Sequence, residues 1–542
     1  MKTKKAMKKI THISMAALVA MGMLGTSCNK AESPEIETPE TQKENIVTLT
    51  TTVGFAADGT KALTSTGVKT FAKGETMAIY YWKNKGNDHV KAVSAPLTPG
   101  DITNGGKSAT FTFTLDNPYK DMSVSYVYPA AMANADFTPN YDALYNNQDG
   151  TLATLGSNFD FCTRSGAWAG DNLPSLTLEN QLAILAITLK DEAGTSDITS
   201  GTTKLTVSDG TNTYNVTPSA AEGPIYVAIR PTSDATIDIT ATSGGKGYYK
   251  TLATKTYEAG NGYPVSWKMT QGARLSLLTA DYTAQNGDKL TGTLGSNVKI
   301  SIADGATVTL KDVNINGSGT WTSGNYAGIT CAGDATITLE GTNTVKGFAD
   351  GYPGIFVSSG KTLVINGTGE LNASSNGSYD NGSGGAGIGG GNKMDCGNIE
   401  IQSGTVTATG NEWGAGIGGG YNANCGNITI SGGTVIATGG DRAAGIGGGR
   451  RASSGTKGSC GNITISGGTV TATGGDGAAG IGGGRGYNNN YKSSCGTITI
   501  TSGVTSVTAT KGGTDAPNSI GAGYRGTCGS VTIETGANVT QN

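Results

Sequence analysis

In 542 residues, 38 Lys and Arg face 41 Asp and Glu, so the net charge of −3 offers no basic excess to attract nucleic acid. Glycine is abundant at 87 residues while proline stops at 14, which excludes collagen and the proline-rich disordered classes and leaves an all-β, turn-rich composition. A chain of this length is expected to hold several domains.

Lys2, Lys4, Lys5, Lys8 and Lys9 precede the apolar run Met15–Leu24, which is too short to span a bilayer, and small residues lead on to Cys28. This is the pattern of a secretory signal, and its end, LGTSC, resembles a bacterial lipobox. The resemblance implies removal of residues 1–27, lipid (palmitate among its acyl chains) on the sulfur of Cys28, and an envelope location. Residues 28–45 are acidic and broken by Pro34 and Pro39, as a solvated tether would be. Within them Lys30 and Glu32 loosely resemble the signal that carries lipoproteins to the cell surface in some Gram-negative bacteria.

Between residues 46 and 271 there is no repeat. IVTLTTTVGF, GETMAIYYW, KSATFTFTL and SVSYVYP alternate apolar and polar residues between Gly, Asp, Asn and Pro, which is the period of half-buried strands. A second set opens with LTLENQLAILAITLK (Leu176 to Lys190) and continues through TKLTVSDG, GPIYVAIRP, TIDITATSG and NGYPVSWKM. Two Greek-key β-sandwiches, over 46–175 and 176–271, are the expected domains.

The order of these features carries a family resemblance: lipobox, tether, a first strand ending near GTKALTSTG, then FAKGETMAIYYW, LENQLAILAITLK and the closing TYEAGNGYPVSWKM. Residues 1–271 resemble the fimbrillin family, the two-domain subunits and relatives of type V pili. The resemblance implies adhesion or pilus assembly without catalysis, an outer-membrane or fimbrial location, and partners among other pilus subunits. In that family an amino-terminal segment is cut off after an arginine, and the vacated groove accepts a neighbour's strand, a form of β-augmentation. This chain departs from the pattern at that step. Thr60, Lys61 and Ala62 stand where the family commonly has Thr-Arg-Ala, and the first arginine is Arg164. Either a Lys-directed enzyme cuts at Lys61, or the leader stays and the protein remains anchored; the second needs fewer assumptions.

Over 272–542 one phrase recurs, opened by Cys396, Cys425, Cys460, Cys495 and Cys528 at spacings of 29, 35, 35 and 33 residues. A fixed period in this range marks a solenoid or array. In the clearest copy, Ile463 and Ile465 alternate with polar neighbours, Val470 and Ala472 alternate with threonines, and Ile481 sits in AAGIGGG. Three short strands per copy and no helix predict a parallel β-helix whose turns stack at about 4.8 Å and share one core. Extending the period upstream predicts about eight turns from residue 290 on. The glycine-rich repeat resembles a module often appended to surface proteins and sometimes labelled carbohydrate-binding. The stacked cysteines read as a buried thiol ladder begun by Cys331: zinc needs four converging ligands, and like-pointing side chains suit a disulfide poorly. Cys162 stands apart.

For chemistry, Asp441 and Asp476 fall at one repeat position, preceded by Glu412. They are a carboxylate ladder for a cation, with Arg442 neutralising part of it, or turn residues capping backbone groups, which is the simpler reading. The two histidines, His12 and His89, lie outside the repeats, so histidine catalysis there is excluded. Gly414 to Gly419 matches the dinucleotide fingerprint by letter, but the match requires a following helix that the repeat does not provide. Loop length varies: ten residues follow the glycine run in RRASSGTKGS and in RGYNNNYKSS. Insertions on one face often mark a binding face. They bring Arg450, Arg451, Arg485, Tyr487, Asn489 and Tyr491, guanidinium and amide donors with aromatic platforms, which suit a neutral or acidic glycan; the alternative is a pair of solvated loops. No cofactor or metal is expected. The leading reading is a surface-anchored adhesin or pilus accessory subunit. A β-helix polysaccharide lyase or hydrolase, which would need convergent carboxylates, and a ligand-free stalk are the alternatives.

Overall fold

The computed structural model describes residues 45–55, 70–86, 88–136, 138–159, 161–219, 223–295, 297–316, 326–377, 384–452, 458–488 and 490–542. Cys28, Lys61 and Asn489 lie outside them, as do the signal and most of the tether. The described chain is almost wholly β.

Strands β1 (Ile46–Phe55), β2 (Ala78–Lys83), β3 (Asp88–Val93), β4 (Ile102–Thr103), β5 (Ser108–Asp116), β6 (Ser123–Tyr128), β7 (Cys162–Ala167) and β8 (Leu176–Asn180) form a sheet in the order β3-β2-β6-β7-β8-β1-β5-β4. It doubles over a core in which Phe111, Phe113 and Leu115 of β5 meet Ile79, Tyr81, Val124 and Tyr126 of β2 and β6. Alternate residues of β5 are buried because successive side chains point to opposite faces, and each full burial of a Phe or Leu contributes about 1.5–3 kcal/mol. β2 is buried on both faces: Ile79 and Tyr81 enter this core, Ala78 and Tyr80 the next.

The run expected to open the second sandwich is two strands. β8 pairs with β1 and β7 of the first sheet. After a break at Gln181 and Leu182, β9 (Ala183–Lys190) enters a second sheet between Ile225–Ile229 and Gly262–Lys268. The polar stretch Glu179, Asn180, Gln181 is where the chain crosses. Leu185, Ile187 and Leu189 of β9 pack with Val207, Tyr214 and Ile239 of the facing sheet.

That facing sheet runs on without interruption into the solenoid. Tyr248 and Tyr249 pair antiparallel with Gln271 and Thr270, and Gly272 then starts parallel pairing with Lys289. Gly272 has φ +125°, and a Cβ there would collide with the Lys289 backbone, so only glycine fits. Beside it Asp288 is fully buried and accepts hydrogen bonds from Tyr282 Oη (2.6 Å), Gln271 Nε2 (2.8 Å) and the Gln285 amide (2.9 Å).

Each solenoid turn has three faces. Ile399, Ile428, Ile463 and Ile498 stack on the first, Val406, Val435, Val470 and Val507 on the second, and Ile388, Ile417, Ile446, Ile481 and Ile520 on the third. The third face is nine strands deep. Its glycines are backbone requirements: Gly418 has φ +131°, and a Cβ would collide with the Gly447 carbonyl on the next turn. The apparent dinucleotide fingerprint is therefore a stacked strand.

Two cysteine expectations are corrected. Cys331 is in register with Ile302 and Val357 on the third face, so it does not begin the ladder. Within the ladder Cys495 and Cys528 form a disulfide at a Cα separation of 4.6 Å, while Cys396, Cys425 and Cys460 are buried thiols. Side chains that point the same way still meet because stacked backbones bring their Cα atoms within bonding range.

Candidate functional site

The third face is short, and the chain enters and leaves it at two neighbouring corners. The backbone laces these corners together: the amides of Tyr421, Arg450, Arg485 and Tyr524 donate to the carbonyls of Gly384, Trp413, Arg442 and Gly477, each on the preceding turn, at 2.7–3.0 Å. Bonds from Asn422, Arg451 and Gly486 to the carbonyls of Arg450, Arg485 and Tyr524 connect successive exits. Tyr421, Arg450, Arg485 and Tyr524 thus form one column, with Trp413 and Arg442 in a second column alongside.

Side chains interlock along this stripe. The rings of Trp413 and Tyr421 lie 4.5 Å apart, and the Arg450 guanidinium sits 4.2 Å over Trp413. Arg485 and Arg525 both approach the Tyr524 ring at 4.9 Å, and Arg451 lies 5.7 Å from Tyr491. Such cation–π contacts contribute about 0.5–1 kcal/mol each at exposed sites.

Asp441 pairs with Arg442 at 3.4 Å. Asp476 lies 4.0 Å from Arg442 and also pairs with Arg485, which reaches Asp515 at 3.7 Å. Both ladder carboxylates are therefore engaged by guanidinium groups, and Glu412 is buried. Among the described residues no group of three or more His, Cys, Asp or Glu could hold a metal ion.

The second long loop is pinned at both flanks. Asn488 Oδ1 accepts from the amides of Asn490 and Tyr491 at 2.9 Å, closing a tight turn. Arg451 donates to the Lys492 carbonyl (2.9 Å) and Arg525 to the Tyr487 carbonyl (3.0 Å). Tyr487 projects from this turn, 49% exposed.

The sequence-predicted Arg450, Arg451, Arg485, Tyr487 and Tyr491 thus fall along one edge of the solenoid. Arg451 and Arg485 are committed to internal partners. Trp413, Tyr421, Tyr524 and Arg525 were missed because they lie in short corners, and Arg442 was read only as neutralising part of the carboxylate ladder. Their signal was positional: Tyr421, Arg450, Arg485 and Tyr524 each follow the glycine run directly.

A second feature is β1. It pairs along its length with β5, antiparallel from Ile46↔Asp116 to Gly54↔Ser108, and is parallel to β8 from Val53↔Leu176. It therefore fills a slot inside a sheet. Of its described side chains only Thr51 and Val53 are buried.

Among known proteins, the family described as a β-helix repeat matches residues 399–421, 428–450 and 463–485. No curated protein sequence matches the chain. Among solved structures, a protein from Bacteroides ovatus ATCC 8483, provisionally described as a cell adhesion protein, is similar at 12% identity and TM-score 0.28, covering 43% of this chain and 97% of its own. A fimbrial assembly protein from Parabacteroides distasonis ATCC 8503 is similar at 12% identity and TM-score 0.25, over 41% of this chain and 91% of its own. A fimbrial protein from Bacteroides ovatus ATCC 8483 is similar at 14% identity and TM-score 0.24, over 41% of this chain and 49% of its own. At these TM-scores the likenesses carry no argument about function.

Proposed function

We propose that this chain is a non-enzymatic adhesin, held in the outer membrane by lipid on Cys28, whose solenoid presents the aromatic and guanidinium stripe to surface glycans. The observation that carries the reading is the stripe itself. Trp413 and Tyr421 flank one third-face strand, Arg450 follows on the next turn, and Tyr487 and Tyr524 come from the two turns after it. Sugar rings stack on aromatic faces while donors at the rim fix their hydroxyls, so such a surface suits binding. Catalysis is a poorer account because Asp441 and Asp476, which a hydrolase or lyase would need as acid and base, are neutralised by Arg442 and Arg485. The β-helix match identifies a scaffold and leaves the ligand open. The test is adhesion of protein-coated beads to glycan-coated surfaces: Trp413→Ala and Tyr487→Ala should each reduce capture. Undiminished capture by both would contradict the reading, and no capture by the wild type would favour a stalk.

A second reading, a polymerising pilus subunit, is favoured by the position of β1. Cleavage at Lys61 would allow β1 to leave, exposing the unpaired edges of β5 and β8 to a neighbour's strand. The amino terminus of protein isolated from its own membrane decides: lipidated Cys28 means the strand is retained, and a terminus near Ala62 means strand exchange.

A further inference from the structure

We propose that Arg450 is the anion-binding centre of the stripe and that the glycan recognised there carries a carboxylate or a sulfate. This rests on the reading of the stripe as a glycan-binding surface and names its ligand class.

Among the described arginines, Arg450 alone has neither an ion-pair partner nor a hydrogen-bond acceptor for its side chain. Arg164, Arg274, Arg442 and Arg485 form ion pairs. Arg230 donates to Tyr145 and Asn212, Arg451 to the Lys492 carbonyl and Arg525 to the Tyr487 carbonyl. The Arg450 guanidinium uses only its face, laid over Trp413 at 4.2 Å. Stacking leaves the in-plane N–H donors of a guanidinium free, and that planar fork matches the two oxygens of a carboxylate or sulfate.

Two further observations make this an incomplete site. Arg450 is half-buried, and burial together with the like charge of Arg442 holds its pKa below the usual arginine value. A partly desolvated cation without an acceptor is unfavourable until an anion arrives. Tyr421, one turn away in the same column and 4.5 Å from Trp413, supplies a ring beside the charge. An acidic sugar can lean its ring on that face while its anionic group meets the fork. The carboxylates Asp441 and Asp476 are paired with other guanidinium groups; Asp441 favours the Arg450 charge from a distance but does not outweigh burial and Arg442, and neither carboxylate occupies the fork of Arg450.

The test titrates the full-length protein with oligogalacturonate, with its carboxyl-reduced neutral counterpart, and with a heparin-derived oligosaccharide, using wild type, Arg450→Gln and Arg450→Lys. Unchanged melting of both variants confirms folding. The expected result is binding of at least one acidic oligosaccharide, weakened about 10- to 100-fold by Arg450→Gln, as loss of a charge-assisted pair predicts. Arg450→Lys should weaken it as well, because an ammonium neither stacks flat nor binds in a fork. Binding of the sulfate-free oligogalacturonate shows that a carboxylate suffices, binding of the heparin oligosaccharide alone shows that sulfate is required, and either supports the assignment. Equal binding of the acidic and reduced sugars, or unaltered affinity in Arg450→Gln, overturns the anion site while leaving the glycan reading intact. No binding of any oligosaccharide overturns both.

Discussion

Ile430 and Ile436 sit six residues apart on one solenoid turn, on different faces. Ile430 is fully buried in the first face, stacked between Ile401 and Ile465, whereas Ile436 is 41% exposed on the second. Truncating a fully buried Ile to Ala costs about 2–5 kcal/mol, the spread reflecting how far the cavity collapses, while a surface truncation stays within about 0.5 kcal/mol. Solenoid turns touch only their neighbours, so the loss should remain local. At 1.4 kcal/mol per decade, Ile430→Ala should speed amide exchange about 30-fold to several thousand-fold. The acceleration should be confined to Ile428–Ile430 and the adjoining strands Asn398–Ile401 and Ile463–Ile465. Peptide-resolved hydrogen exchange reads this directly. Ile436→Ala should leave the same peptides within about threefold. Equal effects of the two substitutions, or an acceleration reaching β1–β9, would refute the stacked-turn account.

Cys396, Cys425 and Cys460 should alkylate only after denaturation, and Cys495 and Cys528 only after reduction, as read by peptide mass; ready alkylation of Cys495 in unreduced protein would contradict the assigned pair. Burial pushes the Cys331 thiol up to about 12. Its folded pKa is raised, so its contribution is fully present below the ordinary thiol value near 9 and is lost as pH rises towards 12. Denaturant melts from pH 8 to 11 should therefore show a smaller alkaline decline in Cys331→Val than in wild type, and identical declines would contradict this. Arg451→Ala removes the bond to the Lys492 carbonyl and the contact with Tyr491; it should loosen residues 486–494 in hydrogen exchange while lowering overall stability by no more than about 1 kcal/mol.

Much of this architecture was legible in the chain. The alternation of Ile463 with Ile465 and of Val470 with Ala472 placed two faces of each turn, and the isolated Ile481 marked the third. Cys331 was misread because ITCAGDATITL looks like the later phrase. Its cysteine, however, follows the third-face Ile329 by two residues, against fourteen between the equivalent Ile446 and Cys460. That difference moves Cys331 back onto the third face. The crossing from β8 to β9 was hidden because LENQLAILAITLK reads as one strand when the partners of each half are unknown. The site was half visible. Long loops advertised Arg450 and Tyr487, but Trp413, Tyr421 and Tyr524 gain meaning only when stacking brings separate turns side by side. The unpaired state of Arg450 depends on where Asp441, Asp476 and Asp515 point, which spacing alone does not encode.

The most direct test of the account is a glycan array probed with the full-length protein beside a Trp413→Ala, Tyr421→Ala, Arg450→Gln triple variant. The account predicts saccharide binding by the wild type, concentrated among acidic glycans and abolished in a variant that melts at the wild-type temperature. Binding that survives all three substitutions, or a wild type that binds nothing, would contradict the claim that this stripe is the adhesive surface.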